Sequence, residues 1–157
     1  MKIKDIIQFI KTKHFGQLDK AGQMYYLHPL RVYENAENLY ISLIHDNSDL
    51  NKVKVCALCH DLYEDTDVTD EELLSLGITQ DCIDIIKTKL THKLGVPYKD
   101  YISNLADNNI AIIVKLADLK DNLDLTRLHG IKLSELDIKR IQKYMDSYDY
   151  LYNLITN

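Results

Sequence analysis

The sequence lacks the excess of basic residues that many proteins use to bind nucleic acids or anionic membranes. It has 19 Lys and Arg residues against 24 Asp and Glu residues, a formal net charge of −5, and an isoelectric point near 5.6. These values argue against a broad positively charged surface that could bind a polyanion, so we expect neither nucleic acid nor membrane as a partner. A phosphorylated ligand would need lysines gathered locally.

Cysteine is scarce, and its spacing does not indicate a disulfide framework or a zinc site. The chain has three cysteines. Cys56-x-x-Cys59 lies within an apolar helical pattern, and no second pair of this kind accompanies it. We therefore expect Cys56, Cys59 and Cys82 to be reduced thiols of the core.

Long apolar runs are also missing, and none reaches the length of a transmembrane helix. The N-terminal stretch MKIKDIIQFIKTKH alternates charged and apolar residues and has no small-residue cleavage site of a signal peptide. Repeats, low-complexity segments and linkers are absent as well. With 157 residues, 46% of them hydrophobic, the sequence predicts one compact domain over residues 1–157, soluble and cytoplasmic, with homo-oligomerisation left open.

The spacing of the apolar residues predicts an all-α fold. They recur at three- and four-residue steps, from Ile3, Ile6, Ile7 and Ile10 to the series Ile138, Ile141, Met145, Tyr148, Leu151 and Leu154. Segment 108–125 begins with IAIIV, which could be mistaken for a buried strand, but its length and the leucines that follow favour a helix. His28-Pro29 and Pro97 mark helix starts, and Thr69-x-x-Glu72 and Ser134-x-x-Asp137 resemble capping boxes.

Two His-Asp dipeptides occur, and their surroundings distinguish them. His45-Asp46 lies in the polar turn HDNSDLN, where solvated capping is the expected role. His60-Asp61 ends an apolar helical pattern within LCHDLYEDTDVT (58–69). Its two side chains leave adjacent positions about 100° apart on a rigid support and could converge on one ion.

Two further residues of the metal-ligand type lie in comparable settings. His28 stands at a helix start, and Asp118 lies within the otherwise apolar IIVKLADL. An unpaired buried carboxylate is costly, so Asp118 needs a partner. Either Lys115 or a metal ion could supply it.

Three ordered blocks of the sequence resemble the HD-domain phosphohydrolases, specifically the hydrolase domain of the RelA/SpoT enzymes and the stand-alone small alarmone hydrolases. The blocks are HFGQLDKAGQMYYLHPLRV (14–32), ALCHDLYEDTDVT (57–69) and VKLADLKDNLDLTRL (114–128). The resemblance implies the all-α HD fold and a divalent-metal site, commonly manganese in that family, with the ligands His28, His60, Asp61 and Asp118. Two imidazoles with two carboxylates suit a borderline divalent ion better than calcium.

The resemblance also implies a catalytic role for Glu64 and Asp65, which match the family's Glu-Asp pair. One helical turn beyond His60-Asp61, they could reach the attacking water without occupying the ion's coordination sites. The alternative is an acidic solvated loop before a helix N-terminus, and we keep that interpretation for Asp67.

Four residues are candidates for substrate contacts by the same resemblance: Lys20, Tyr25, Asn122 and Tyr144. Asn122 follows Asp118 by four residues and shares its helix face. Because the chain has 11 tyrosines, ordinary packing is the alternative for both tyrosines.

The activity that the resemblance implies is hydrolysis of the 3′-pyrophosphate of guanosine tetra- or pentaphosphate, (p)ppGpp. Asp19 departs from the family, because it stands where alarmone hydrolases usually carry an arginine that stacks on guanine. A cation over the base contributes roughly 0.5–2 kcal/mol, so we expect weaker base discrimination. The alternatives are an HD nucleotide phosphohydrolase with a different substrate and a non-catalytic HD module that binds metal or nucleotide. Glu64 and Asp65 disfavour the latter.

Overall fold

The computed structural model describes residues 2–157. This part of the chain forms nine α-helices: α1 (Ile3–Lys13), α2 (Leu27–Leu43), α3 (Leu50–Cys59), α4 (Leu62–Asp65), α5 (Asp70–Ser75), α6 (Gln80–Ile85), α7 (Tyr98–Ser103), α8 (Asn109–Asn122) and α9 (Glu135–Thr156). A π-helical turn (Ile86–Leu90) continues α6, and a 3₁₀ turn (Leu125–Leu128) follows α8. Among the described residues there is no strand, and one isolated bridge pairs Leu18 with Met24. The all-α prediction is confirmed.

Helix α8 lies at the centre of the fold and packs against α2, α3 and α9. Its apolar residues are buried on almost every side, and Ile112, Ile113 and Leu116 are fully buried. A helix that is apolar all round belongs in the interior, which is why IAIIV looks like a buried strand in the sequence. Truncating Leu116 to alanine would cost about 2–5 kcal/mol of stability.

The chain bends at His60-Asp61, where α3 ends and the short α4 begins. The last residue of α3 is Cys59, and α4 starts at Leu62. Both flanking residues are fully buried. The bend therefore presents His60 and Asp61 from a support that is fixed on both sides.

The loop between α1 and α2 (residues 14–26) is shaped by Gly16 and Gly22. Their φ angles are +80° and +75°, a region that residues with a side chain rarely adopt. The Leu18–Met24 bridge closes this loop, and Asp19 and Lys20 near its tip face the cleft described below.

Both predicted capping boxes are present. Thr69 and Glu72 exchange side-chain and backbone hydrogen bonds at the start of α5, and Ser134 and Asp137 do so at the start of α9. Replacing such a cap typically costs about 0.5–2 kcal/mol. The apolar stripe predicted along α9 faces the core only in part, because Leu151 is buried whereas Ile138, Met145 and Leu154 are exposed.

The three cysteines lie in the core, as the sequence predicts. Cys56, Cys59 and Cys82 are buried and unpaired. None of the helices within residues 2–157 combines the length and the apolar character needed to cross a bilayer.

Candidate metal centre and the surrounding cleft

The four predicted metal ligands come from three parts of the fold and meet at one point. His28 lies in the first turn of α2, His60-Asp61 forms the bend after α3, and Asp118 lies on α8. His28 Nε2 is 3.4 Å from Asp61 Oδ2 and 3.2 Å from Asp118 Oδ1. His60 Nε2 is 3.0 Å from Asp61 Oδ2 and 3.8 Å from Asp118 Oδ1. One ligand atom from each of His28, His60 and Asp61 lies within 4.8 Å of the others, so the group could hold a metal ion.

Hydrogen bonds on the far side of each ring orient the two histidines. His60 Nδ1 lies 2.8 Å from the carbonyl of Ala57 and must donate to it, because a carbonyl only accepts. His28 Nδ1 lies 2.7 Å from Asp121 Oδ2. His60 Nε2 is buried without a hydrogen-bond partner, despite its short distance to Asp61. A buried ring nitrogen that faces carboxylates but makes no hydrogen bond, as His60 Nε2 does, is what a metal ligand requires. The hydrogen bond that the Nδ1 of each ring makes on the opposite side is also typical of ligating histidines.

Other side chains hold the two carboxylates. The Tyr25 hydroxyl donates to Asp61 Oδ2 at 2.7 Å, and Lys115 Nζ donates to Asp118 Oδ2 at 2.7 Å. Asn122 donates to Asp118 Oδ1. Lys115 is thus one of the partners that the sequence predicts for Asp118. Because Lys115 binds Oδ2 of Asp118, the Oδ1 atom of Asp118 remains directed toward the histidines.

The carboxylates favour positive charge at the centre. Burial lowers the pKa of His28, but hydrogen bonds to carboxylates outweigh it and raise this pKa well above its usual value. In His60, burial likewise lowers the pKa, and the charge of Asp61 more than compensates. Burial raises the pKa values of Asp61 and Asp118, but the charges of His60 and Lys115, respectively, hold them low. A divalent ion would supply the same positive charge in place of protons.

Asp121 belongs to this site and was missed by sequence reasoning. Besides His28, it binds Arg31, whose Nε donates to Oδ1 at 2.6 Å, and Arg127, whose Nη2 donates to its backbone carbonyl at 2.9 Å. Carboxylates in this position fix the orientation of a ligating histidine and increase its basicity. The available signal was its spacing, since Asp121 follows Asp118 by three residues on one helix face.

Glu64 and Asp65 lie on α4 and line the cleft beside the predicted ligands. The Glu64 carboxylate accepts the backbone N–H of His92. Both carboxylates reach solvent, yet the protein around them desolvates each one in part. This desolvation raises both pKa values, and the charge of Asp61 adds to the effect. A carboxylate whose pKa moves toward neutrality is a better general base.

The cleft has a volume of about 510 Å³, within the range of small-molecule sites. Its walls come from the α1–α2 loop, α4, α7, α8 and α9. Five cationic side chains line it: Lys20, Lys115, Arg127, Arg140 and Lys143. The cleft therefore gathers cationic side chains locally, next to the six carboxylates that also line it: Asp19, Asp61, Glu64, Asp65, Asp118 and Asp124.

The four residues predicted to contact substrate all line this cleft. Tyr25 and Asn122 bind the carboxylates of the candidate metal centre. Lys20 forms an ion pair with Asp137 at the start of α9. The ring of Tyr144 lies 5.5 Å from the ammonium of Lys143.

Asp19 is paired rather than free. Its Oδ2 accepts a hydrogen bond from Arg127 Nη1 at 3.0 Å and lies 3.8 Å from Arg31 Nη2. Its Oδ1 accepts the backbone N–H of Gln23 at 2.9 Å. The side chain is 12% exposed, so its charge is compensated inside the wall of the cleft.

The helical fold and the converging histidines and aspartates define an all-α domain with a candidate metal centre. No protein-family model matches the sequence. Three relatives do. A guanosine-3′,5′-bis(diphosphate) 3′-pyrophosphohydrolase from Aquifex aeolicus is 31% identical over 132 residues, and one from Borreliella burgdorferi is 29% identical over 127 residues. A protein named as a probable enzyme of this kind, from Mycoplasma genitalium, is 30% identical over 131 residues.

These matches cover 78%, 74% and 72% of this chain but only 17%, 18% and 17% of the respective relatives. The chain thus spans less than a fifth of their length. The solved structure of a metazoan ortholog of SpoT, described as hydrolysing ppGpp, has a TM-score of 0.72 and 21% identity to this chain; the match covers 99% of this chain and 88% of that one. That structure establishes the shared fold. Together with the relatives, it confirms the resemblance to RelA/SpoT-type hydrolases that the motif blocks indicate.

Proposed function

We propose that this chain is a divalent-metal-dependent phosphohydrolase that removes the 3′-pyrophosphate of (p)ppGpp. The observation that carries the proposal is the position of Glu64 and Asp65 beside His28, His60 and Asp61, with Asp118 within 3.2 Å of His28, in a cleft lined by cations. The names of the relatives support this substrate, and the chain corresponds to a small part of each of them.

The ion would be held by His28, His60, Asp61 and Asp118, and manganese is our first candidate. Mixed imidazole and carboxylate ligands suit a borderline divalent ion. The partnerless Nε2 of His60 supports the same assignment. When bound, such an ion lowers the pKa of water and screens the charge of a phosphate.

Glu64 and Asp65 would act on the attacking water. One of them accepts its proton while the water adds to the phosphorus attached to the 3′ oxygen. The bond between that phosphorus and the 3′ oxygen breaks, the 3′ oxygen takes up a proton, and pyrophosphate leaves. Because desolvation raises the pKa of both carboxylates, each is a stronger base than a fully solvated side chain.

The remaining phosphates need cations that are not committed to the metal centre. Lys20, Arg140 and Lys143 line the outer part of the cleft and would supply them. Charge-assisted hydrogen bonds from lysine and arginine are among the strongest contacts available to a phosphate.

A second candidate is an HD nucleotide phosphohydrolase that prefers another base. Asp19 favours this alternative, because the position of the family's base-stacking arginine is occupied by a carboxylate bound to Arg127. A panel of phosphorylated nucleotides assayed with Mn²⁺ separates the candidates. Our proposal expects guanosine diphosphate and pyrophosphate from ppGpp. Turnover of other nucleotides alone would support the second candidate, and nucleotide binding without any turnover would indicate a non-catalytic module.

A further inference from the structure

Asp19, Arg127, Arg31 and Asp121 form a closed network of charges between the cleft wall and His28. Asp19 binds Arg127 at 3.0 Å and approaches Arg31 at 3.8 Å. Both arginines also reach the carboxylate of Asp121, Arg31 Nε at 2.6 Å and Arg127 Nη2 at 3.3 Å. Asp121 in turn binds His28 Nδ1 at 2.7 Å. The network thus links residue 19, in the α1–α2 loop, to a predicted metal ligand.

The charges of this network balance, since two carboxylates face two guanidinium groups. All four side chains are largely buried, with exposed fractions of 12% for Asp19, 18% for Arg127, 27% for Arg31 and 4% for Asp121. Solvent therefore screens the group less than it would screen a surface ion pair. Loss of one carboxylate would leave a net positive charge close to the metal centre and two arginines competing for Asp121.

We infer that Asp19 is a positioning residue for the metal ligand His28, acting through Arg127, Arg31 and Asp121. This inference rests on the metal site of the proposed function. The inference explains why this chain has an aspartate where the related hydrolases usually carry an arginine. Asp19 balances the charge of the two arginines, and Asp121 is then available to bind His28. Its effect should appear in metal affinity, independently of any nucleotide.

The test measures how readily the protein gives up Mn²⁺. The 157-residue protein loaded with Mn²⁺ is titrated with a chelator of known affinity, which yields the Kd for the ion. Asp19→Asn keeps an oxygen that can accept the N–H of Gln23 and removes only the charge. Replacing a residue that hydrogen-bonds directly to a metal ligand typically lowers metal affinity 10- to 100-fold. Asp19 contacts His28 only through other residues, so we expect a smaller effect, a rise in Kd of about 3- to 10-fold.

Asp124→Asn is the matched control. Asp124 lines the same cleft, but its carboxylate accepts hydrogen bonds from the backbone and hydroxyl of Thr126 and makes no ion pair with the network. This variant loses the same charge, so its Kd should stay within about twofold of the wild-type value if Asp19 acts through its contacts. The double variant Asp19→Asn with Arg127→Gln restores the charge balance and should bind Mn²⁺ more tightly than Asp19→Asn alone.

An unchanged Kd in Asp19→Asn overturns the inference, as does an equal rise in Asp124→Asn or a double variant no tighter than the single one. Circular dichroism melting curves of all variants establish that each is folded at the temperature of the titration. If the wild-type protein takes up no Mn²⁺, the inference falls together with the metal site. If it binds Mn²⁺ normally but leaves ppGpp intact, only the proposed reaction fails.

Discussion

Asp137 Oδ1 contacts both Lys20 and Arg140, and thereby joins the α1–α2 loop to the first turns of α9. Its other oxygen accepts hydrogen bonds from the backbone N–H and the hydroxyl of Ser134. Lys20 and Arg140 have further N–H groups that this carboxylate does not use. The aspartate therefore fixes two cations at the edge of the cleft while leaving each able to bind a phosphate.

The first prediction concerns this bridge. Asp137→Asn should raise KM for ppGpp about 3- to 10-fold and leave kcat nearly unchanged, because ordering two long side chains in advance lowers the cost of binding. Steady-state kinetics with Mn²⁺ measure both constants. Ser134→Ala is the control, since it weakens the same helix cap without changing the charge. A lower KM in Asp137→Asn would mean that the carboxylate competes with substrate for the cations.

The second prediction concerns the metal ligands. His60→Ala and Asp118→Ala proteins that remain folded should contain little Mn²⁺ compared with the wild type, because each loses one of the four proposed ligands. Elemental analysis after gel filtration measures the content. His45→Ala provides a matched control, since His45 belongs to the other His-Asp dipeptide, in the exposed turn after α2. Wild-type metal content in both ligand variants would refute the assignment.

The third prediction separates metal binding from catalysis. Glu64→Gln and Asp65→Asn should keep the ion and the fold but lose about 10²- to 10⁴-fold in kcat if each acts as general base or orients the water. Asp67→Asn is the control within the same acidic run, because its carboxylate is 91% exposed and pairs with Lys13. Near-normal turnover of both Glu64→Gln and Asp65→Asn would make the acidic-loop interpretation the better one.

The fourth prediction concerns the base. Without a free cation at residue 19, the protein should distinguish ppGpp from its adenine counterpart in kcat/KM about 2- to 30-fold less than relatives that carry the arginine, since a stacked cation contributes roughly 0.5–2 kcal/mol. Parallel assays of both nucleotides under the same metal and salt conditions measure the ratio. The sequence alone predicts that Asp19→Arg would improve guanine selectivity. In the structure, that change places a third guanidinium against Arg127 and Arg31, so the metal content of the variant must be measured alongside its selectivity.

The sequence predicts those parts of the molecule that depend on local patterns. The capping boxes at Thr69 and Ser134 and the helical state of segment 108–125 follow from side-chain chemistry within a few residues. The contacts of Asp19 could not be predicted in this way, because Arg127 lies 108 positions away in the chain. Nor does a hydrophobic pattern reveal that Asp121 binds His28, 93 positions away. Such pairs depend on how α2 and α8 pack, which periodicity does not specify.

The bend at His60-Asp61 has a consequence for the order in which the protein can assemble. An ion held there would tie residues 60–61 to His28 in α2 and to Asp118 in α8, and so would close two long loops of the chain. Loop closure costs entropy, and an ion that binds only the native state stabilises that state. His28, His60 and Asp61 lie outside α8, and Asp118 joins them only once α8 has docked in the centre. A fragment that stops before α8 would therefore keep three of the four proposed ligands and lack Asp118, so it should hold the ion more weakly than the whole chain.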